Sequence, residues 1–595
     1  MGAVLVTLCL MMLPGSVVQI PAPQTPDAPL FIDATGAPNG RATEALAVIA
    51  EAAGHGLDPA SYRFSQVAFA GPDFETELNR ALLRYLRDLQ RGRVDPRSLG
   101  LDLPAPAEDP NLPATVREAV VTGRLHDLAR DLAPSSRQYD ALRAALSRYR
   151  SLAADPTLPP LPALDDRAVH PGDPLAGAGA LHARLIALGD IPPGALPSSD
   201  GVYDPALVAG VTRFQERHGL EVDGIIGRRT VAALQVPLTW RVRQIELALE
   251  RVRWLPRESQ GPTLAVNIAM FHLWGTEALP PNDAAELTMK VIAGCAERSE
   301  TPVFAADLDR VIFRPYWNVP RSIIHGEILP RIKRDPGYLA RNGFEIVRGE
   351  SDQGAVVPPT PEAISQLAQG ALRLRQRPGQ GNALGLIKFD FPNRYSVYLH
   401  GTPAVDLFSR AQRDLSHGCV RVEDPVSLAQ WALNDPAWSA EAIRNATLGA
   451  DSRPVSLARP IRVVLFYSTA MVTPEGTLHF ATDLYGHDGP LDRALLFLAP
   501  HGNLAVADGR WKRSDDFPIA LDARVKIGNA KAQCPRERGQ QPDGLPLTSC
   551  QGLVKLLNSA DVRFVVRVRD ARLLHVVPHP GRRVVNDDHR TSGFA

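Results

Sequence analysis

Cysteine is scarce: residues Cys9, Cys295, Cys419, Cys534 and Cys550 are the five in a chain of 595. None forms a Cys-x-x-Cys pair, which argues against zinc ribbons and fingers, and so few thiols cannot staple a disulfide scaffold. A dominant charge sign is also missing. Lys+Arg and Asp+Glu each number 65, for a net charge of zero, so no global field draws the chain to nucleic acid or to a membrane surface. No run reaches the roughly 18 apolar residues that read as a bilayer span. With 45% hydrophobic and 22% charged residues, the chain can bury apolar surface, which excludes wholesale disorder.

Proline and glycine are plentiful, 53 and 46 residues, as in a multi-domain chain with long connections; at roughly 150 residues per domain the length predicts about four. Ala3–Pro14 (AVLVTLCLMMLP) has the length of a signal-peptide apolar region, although no Lys or Arg precedes it. Residues 1–28 are therefore expected to be an export signal and linker, leaving no membrane span after removal.

Helical periodicity fills residues 29–165, with Thr43–Ala53, Phe74–Gln90 and Ser135–Ala154 as examples. Gly-Asp-Pro clusters at Gly56–Pro59 and Gly92–Pro96 break them with turn chemistry. After the Pro-rich Asp155–Pro162, a compact unit over 166–237 carries a GVYD turn (Gly201–Asp204), an amphipathic stretch (Val208–Gly219) and the turn residues Asp223, Gly224 and Gly227. A linker helix is expected over 238–260, from the alternating Arg and Glu between Pro237 and Pro256. From Thr263 the pattern turns strand-like: Leu264–Ile268, Leu287–Ile292, Val311–Phe313 and Tyr395–Leu399. This mostly-β unit spans about 261–450. An insertion at 321–385, with helices at Ile328–Arg334 and Glu362–Arg375 around the polar Gly349–Pro359, reads as a lid. Residues 451–488 are expected to be scaffold strands, and 489–595 form a C-terminal segment with strand-like Val562–Val568 and Leu573–Val577. The fold class is thus multi-domain α+β.

The chemistry concentrates in Tyr398–Pro425 (YLHGTPAVDLFSRAQRDLSHGCVRVEDP). Cys419 follows His417 and Gly418, and His400 lies 19 residues upstream at the end of an apolar strand. A cysteine nucleophile needs a nearby base and backbone N–H groups free to hold an oxyanion. Glycine beside it lets the main chain approach the carbonyl. Taken singly, Cys419 also reads as a small buried hydrophobe and His400 as a satisfied core histidine. Zinc held by His400, His417 and Cys419 lacks a fourth ligand. No metal or cofactor is expected.

The string His400-Gly401-Thr402, thirteen residues, then Ser416-His417-Gly418-Cys419-Val420-Arg421 resembles the active-site signature of the YkuD-type L,D-transpeptidases. Thr301-Pro302, Phe313–Ser322 and Asn382–Phe391 leading into Pro392-Asn393 extend the likeness; Cys295 departs from it where a lysine is common. The unit at 166–237 resembles a three-helix peptidoglycan-binding module through Leu181–Gly189, GVYD and FQERHGLEVDGIIGRRT. Together they are similar to the large, scaffolded murein L,D-transpeptidases of Gram-negative bacteria, and the resemblance implies the periplasm as the destination of the exported chain.

The resemblance implies ping-pong acyl transfer between peptidoglycan tetrapeptide stems, forming 3→3 cross-links. Cys419 would be the nucleophile and His400 the proton donor and acceptor, its ring oriented by the Gly401 carbonyl. The Gly418 and Cys419 N–H groups would hold the oxyanion, with His417 auxiliary. Arg421, Tyr316, Trp317, Asn318 and Ser416 would face substrate, and carbapenem-type inhibitors would acylate the thiol. The same acyl-enzyme passed to water, a lipoprotein amine or a D-amino acid, and an idle wall-binding scaffold, are the alternative outcomes. In an oxidising periplasm, Cys534 and Cys550 are expected to pair across their polar loop.

Overall fold

The computed structural model describes residues 29–498, apart from 64–70, 105–108, 162–166, 196–200, 257–260, 278–285 and 350–353. The expected signal segment, the Cys534–Cys550 pair and the strands beyond 562 lie outside the described residues.

Helices Gly40–Ala50, Gly71–Arg91, Leu112–Thr122, Leu125–Leu132 and Arg137–Ala154 form the N-terminal bundle. Their apolar stripes meet in one core, including Val48, Leu78, Leu82, Leu142 and Leu146. Leu238–Trp254 differs from the expected linker. It packs along Arg137–Ala154, and its alternating charges are buried. Arg253, fully buried, bonds Glu250, the Tyr139 hydroxyl and the His55 carbonyl. Glu250 in turn accepts from the Arg93 and Val94 N–H groups at 2.6 and 2.9 Å. Buried charge survives there because the Arg253 terminal nitrogens and the Glu250 carboxylate are paired.

The second unit is three helices, Ala178–Leu188, Pro205–Arg217 and Arg228–Leu234. Gly224 takes φ +67° in the turn between the last two. Gln215 grips that turn, accepting from the Gly224 N–H at 2.8 Å and donating to Asp223 and the Ile225 carbonyl. The Tyr203 hydroxyl donates to the Gly224 carbonyl at 2.6 Å. Both signature stretches thus meet on one turn.

The catalytic core is a nine-stranded sheet. Its order runs Asp414–Ser416, Leu287–Gly294, Val420–Val422, Leu399–His400, Ile387–Asp390, Phe304–Phe313, Arg453–Phe466, Thr263–Asn267, His272–Thr276. His272–Thr276 also pairs with Leu287–Gly294, closing the sheet on itself. Arg453–Phe466 was expected among the scaffold strands. Instead it is an inner strand, parallel to Thr263–Asn267 and antiparallel to Phe304–Phe313. Only the hairpin Ala470–Val472/Leu478–Phe480 returns to the bundle core. There Phe480 packs on Tyr149, His218 and Arg241.

The insertion is a folded subdomain. Strands Trp317–Asn318, Arg373–Gln376, Phe344–Arg348 and Ala355–Val357 make a four-stranded sheet. It covers its own core of Val319, Ile323, Ile328, Leu339, Ile346, Leu367 and Leu374. The expected helix at 362–375 ends at Gln369, because Gly370 takes φ +79° as its C-cap; Arg373–Gln376 is strand. Tyr395–Leu399 is likewise mostly turn, with strand only at Leu399–His400.

Candidate active site

Strand pairing brings the two halves of the signature together. Leu399–His400 runs parallel to Val420–Val422, with Leu399 opposite Val420 and His400 opposite Arg421. The Val420 N–H also donates to the Tyr398 carbonyl at 3.1 Å, so the segment entered from Cys419 runs beside Tyr398–His400. His400 is 5% exposed. Its Nδ1 lies 2.5 Å from the Gly401 carbonyl, which makes Nδ1 the protonated nitrogen and leaves Nε2 with its lone pair. Burial, then the positive charge of Arg421, hold its pKa down at about 3.

Cys419 is half-buried. Burial pushes its thiol above the ordinary 9.0, against the lowering pull of Tyr398, Lys388 and Arg421. Its Sγ–H points to the Ser396 carbonyl at 3.8 Å. Both shifts favour a neutral thiol and a neutral imidazole over a thiolate and an imidazolium.

The Ser416–Cys419 loop is held from behind. Thr301 Oγ1 donates to the Gly418 carbonyl and accepts from the Gly294 N–H, both at 2.8 Å. The Tyr485 hydroxyl donates to the Gly294 carbonyl at 2.6 Å and accepts from the Thr301 N–H at 3.2 Å. Gly418 sits at φ +111°, where a side chain would be strained. This network accounts for the Thr301-Pro302 match and adds Tyr485, which no sequence pattern marked.

Several expected roles change. The Ser416 hydroxyl donates to the Cys419 carbonyl at 2.5 Å and accepts from the Gly418 N–H at 3.2 Å. Ser416 is 4% exposed, so it builds the loop in place of the expected substrate contact. The Gly418 N–H, expected in the oxyanion hole, is engaged by that hydroxyl at rest. His417 is exposed and reaches the insertion: Nε2 lies 2.7 Å from Glu327 Oε1.

The aromatic run divides. The Trp317 indole hydrogen-bonds the Tyr398 hydroxyl, which also bonds Cys419. The Tyr316 ring instead lies under the Arg375 guanidinium at 4.4 Å, itself paired with Glu345 at 2.8 Å. Asn318 accepts from Arg373 at 3.0 Å on the lid sheet. Arg421 is half-buried on the strand facing His400. Sequence reasoning missed Tyr398, although it lies within the quoted motif two residues before His400. Lys388 Nζ sits 4.3 Å from its ring centroid.

The chain matches known family models in three places. Residues 265–457 match the L,D-transpeptidase catalytic domain, 177–234 the "Putative peptidoglycan binding domain", and 24–146 the scaffold domain. A curated relative, the "Putative L,D-transpeptidase" of Haemophilus influenzae, is 36% identical over 214 residues, which is 35% of this chain and 42% of that protein. The chain thus aligns with less than half the length of the relative. The signature residues His400 and Cys419 fall inside the catalytic match, and the Gln215–Gly224 turn inside the second. The chain carries a YkuD-type L,D-transpeptidase catalytic domain, together with a scaffold domain and a peptidoglycan-binding domain.

Proposed function

We propose that the protein forms 3→3 cross-links between peptidoglycan stems through a Cys419 thioester, in the extracytoplasmic compartment where that substrate lies. The observation that supports this reading is the parallel pairing of Leu399–His400 with Val420–Val422, which lays the strand ending in His400 alongside the segment that follows Cys419. His400 Nε2 takes the thiol proton as Sγ attacks the carbonyl at the L-centre of meso-diaminopimelate in a donor tetrapeptide. General-base transfer at the moment of attack suits this pair, since neither group is charged beforehand. The tetrahedral oxyanion draws on the Cys419 N–H, and on the Gly418 N–H once that group turns from the Ser416 hydroxyl. Collapse breaks the amide bond. D-Alanine leaves with the proton returned by His400, and the acyl group stays on sulfur.

The side-chain amine of a second stem then attacks the thioester. His400 accepts its proton, the new amide forms, and Cys419 leaves as thiol. Amide is exchanged for amide, so the balance needs neither ATP nor a redox partner. Arg421 is suited to a stem carboxylate, and Trp317 and Tyr398 to its apolar stretch.

Incubating the full chain with tetrapeptide-bearing muropeptides and sizing the products tests the acceptor. Dimers joined through two diaminopimelate residues support cross-linking. Tripeptide monomers alone would make water the acceptor, and D-amino-acid exchange without dimers would reject cross-linking as well.

A further inference from the structure

We propose that Asp102, in the helical scaffold and outside the catalytic match, is a positioning residue for Cys419, acting through the two loops that hold the thiol. The proposal rests on the reading of Cys419 as nucleophile. The segment carrying Asp102 is built into the catalytic core: Leu101 and Leu103 are buried there on either side of it. The Asp102 N–H donates to the Val303 carbonyl at 2.9 Å, in a bridge with Phe304. That contact grips the 301–304 stretch, whose Thr301 hydroxyl supports the Gly418 carbonyl.

The Asp102 side chain grips the second loop. Its Oδ2 accepts from the Tyr395 hydroxyl at 3.3 Å and pairs with Arg394 at 3.2 Å. Arg394 also donates to the Tyr395 hydroxyl at 2.8 Å, and the Tyr395 ring packs on Phe304. From inside, Asn393 ties the loop to Phe391, Tyr395 and Val397. Next to Tyr395 stands Ser396, at φ +55°, a conformation a non-glycine residue keeps only when its surroundings impose it. The Ser396 carbonyl is the group that takes the Cys419 thiol.

A carbonyl that accepts the S–H favours the thiol over the thiolate. Releasing the loop removes that acceptor and admits water, and both changes favour the thiolate. The same release loosens the geometry in which sulfur meets a peptide carbonyl. Asp102→Ala is therefore expected to make Cys419 more reactive toward a small alkylating agent while making it a worse acyl acceptor. A residue that served stability alone would not move the two in opposite directions.

The test alkylates the full chain with iodoacetamide from about pH 6 to about pH 10, quantifies the Cys419 peptide by mass, and measures carbapenem acylation in parallel. For Asp102→Ala, neutral-pH alkylation should rise about threefold, as a shift of about half a pK unit gives. Acylation should fall about tenfold, within the cost of a small misplacement. Asp102→Asn, whose Oδ1 still accepts from Tyr395, should restore both to within about twofold. Tyr395→Phe, which removes the hydroxyl that donates to Asp102 and accepts from Arg394 but leaves the Asp102–Arg394 pair, should shift both in the Asp102→Ala direction by less, and it decides the matter if Asp102→Ala does not fold. Unchanged alkylation and acylation in a folded variant would overturn the proposal. A wild type not acylated at Cys419 would instead sink the nucleophile reading, with the alkylation profile still reporting on the loop.

Discussion

His417 on the Ser416–Cys419 loop and Glu327 on the 321–385 insertion are joined by a 2.7 Å contact. Glu327 lies within a π-turn, Ile324–Ile328, and also pairs with Arg331 at 3.2 Å. The insertion has a core of its own, so this pair fastens one packed body to another. Such turns recur at functional sites, and separate cores allow rigid-body movement.

Glu327→Gln should loosen that fastening. A partly exposed pair contributes about 0.5 kcal/mol, so deuterium exchange over 321–334 should rise about twofold, with the sheet strands unchanged. The His417 hydrogen bond is the first cause holding the Glu327 carboxyl below its ordinary 4.5. A depressed carboxylate adds stability above its unfolded pKa and loses it as pH falls through its folded one. The contact should therefore persist at neutral pH and fail only below about pH 4.5. Equal exchange in wild type and variant would make the contact inert.

His400 and His417 should differ in kind. His400→Ala removes the base and should abolish turnover, whereas His417→Ala should reduce it less, about tenfold at most. Acylation rates with a carbapenem rank the two, and the reverse order would misassign the base.

The thiol titration follows from the neutral pair. Since burial raises the Cys419 thiol above 9.0, its alkylation should climb steadily to alkaline pH. A plateau of reactivity across neutral pH, with an inflection below it, would reveal a preformed thiolate–imidazolium pair instead.

Acid should unfold the protein early. Burial holds His55 and His400 at about 3 and His272 at about 4, and His218 well below 6.5. In each case the unfolded chain binds a proton first, so stability is full above 6.5 and is lost as pH falls from there toward the folded values. For His400 the loss is about 2 kcal/mol by about pH 5. A Tm that falls steadily between about pH 7 and about pH 5 is expected; a flat Tm would mean these imidazoles are not buried neutral.

The catalytic pair was legible because it is local text: His400-Gly401-Thr402 and Ser416–Arg421 stand close in sequence, and a strand end is an obvious place for a base. Relationships made by folding were not legible. Arg453–Phe466 pairs with strands that precede it by well over a hundred residues, so its place in the sheet left no local mark. The charges of Leu238–Trp254 look solvated in sequence, yet Arg253 is enclosed by partners from three separate segments. Asp102, Glu327 and Tyr485 are ordinary residues in ordinary stretches, and only tertiary contact ties them to the site. The Gly418 N–H was assigned from the motif alone, which says nothing of the Ser416 hydroxyl that engages it.

The most direct test of the account is the mass of the intact protein after exposure to a carbapenem, for wild type, Cys419→Ala and Cys295→Ala. Wild type and Cys295→Ala should each gain one covalent adduct, mapped to the peptide containing Cys419, and Cys419→Ala should gain none. An adduct that survives Cys419→Ala would contradict the assignment of Cys419 as the acyl-carrying nucleophile.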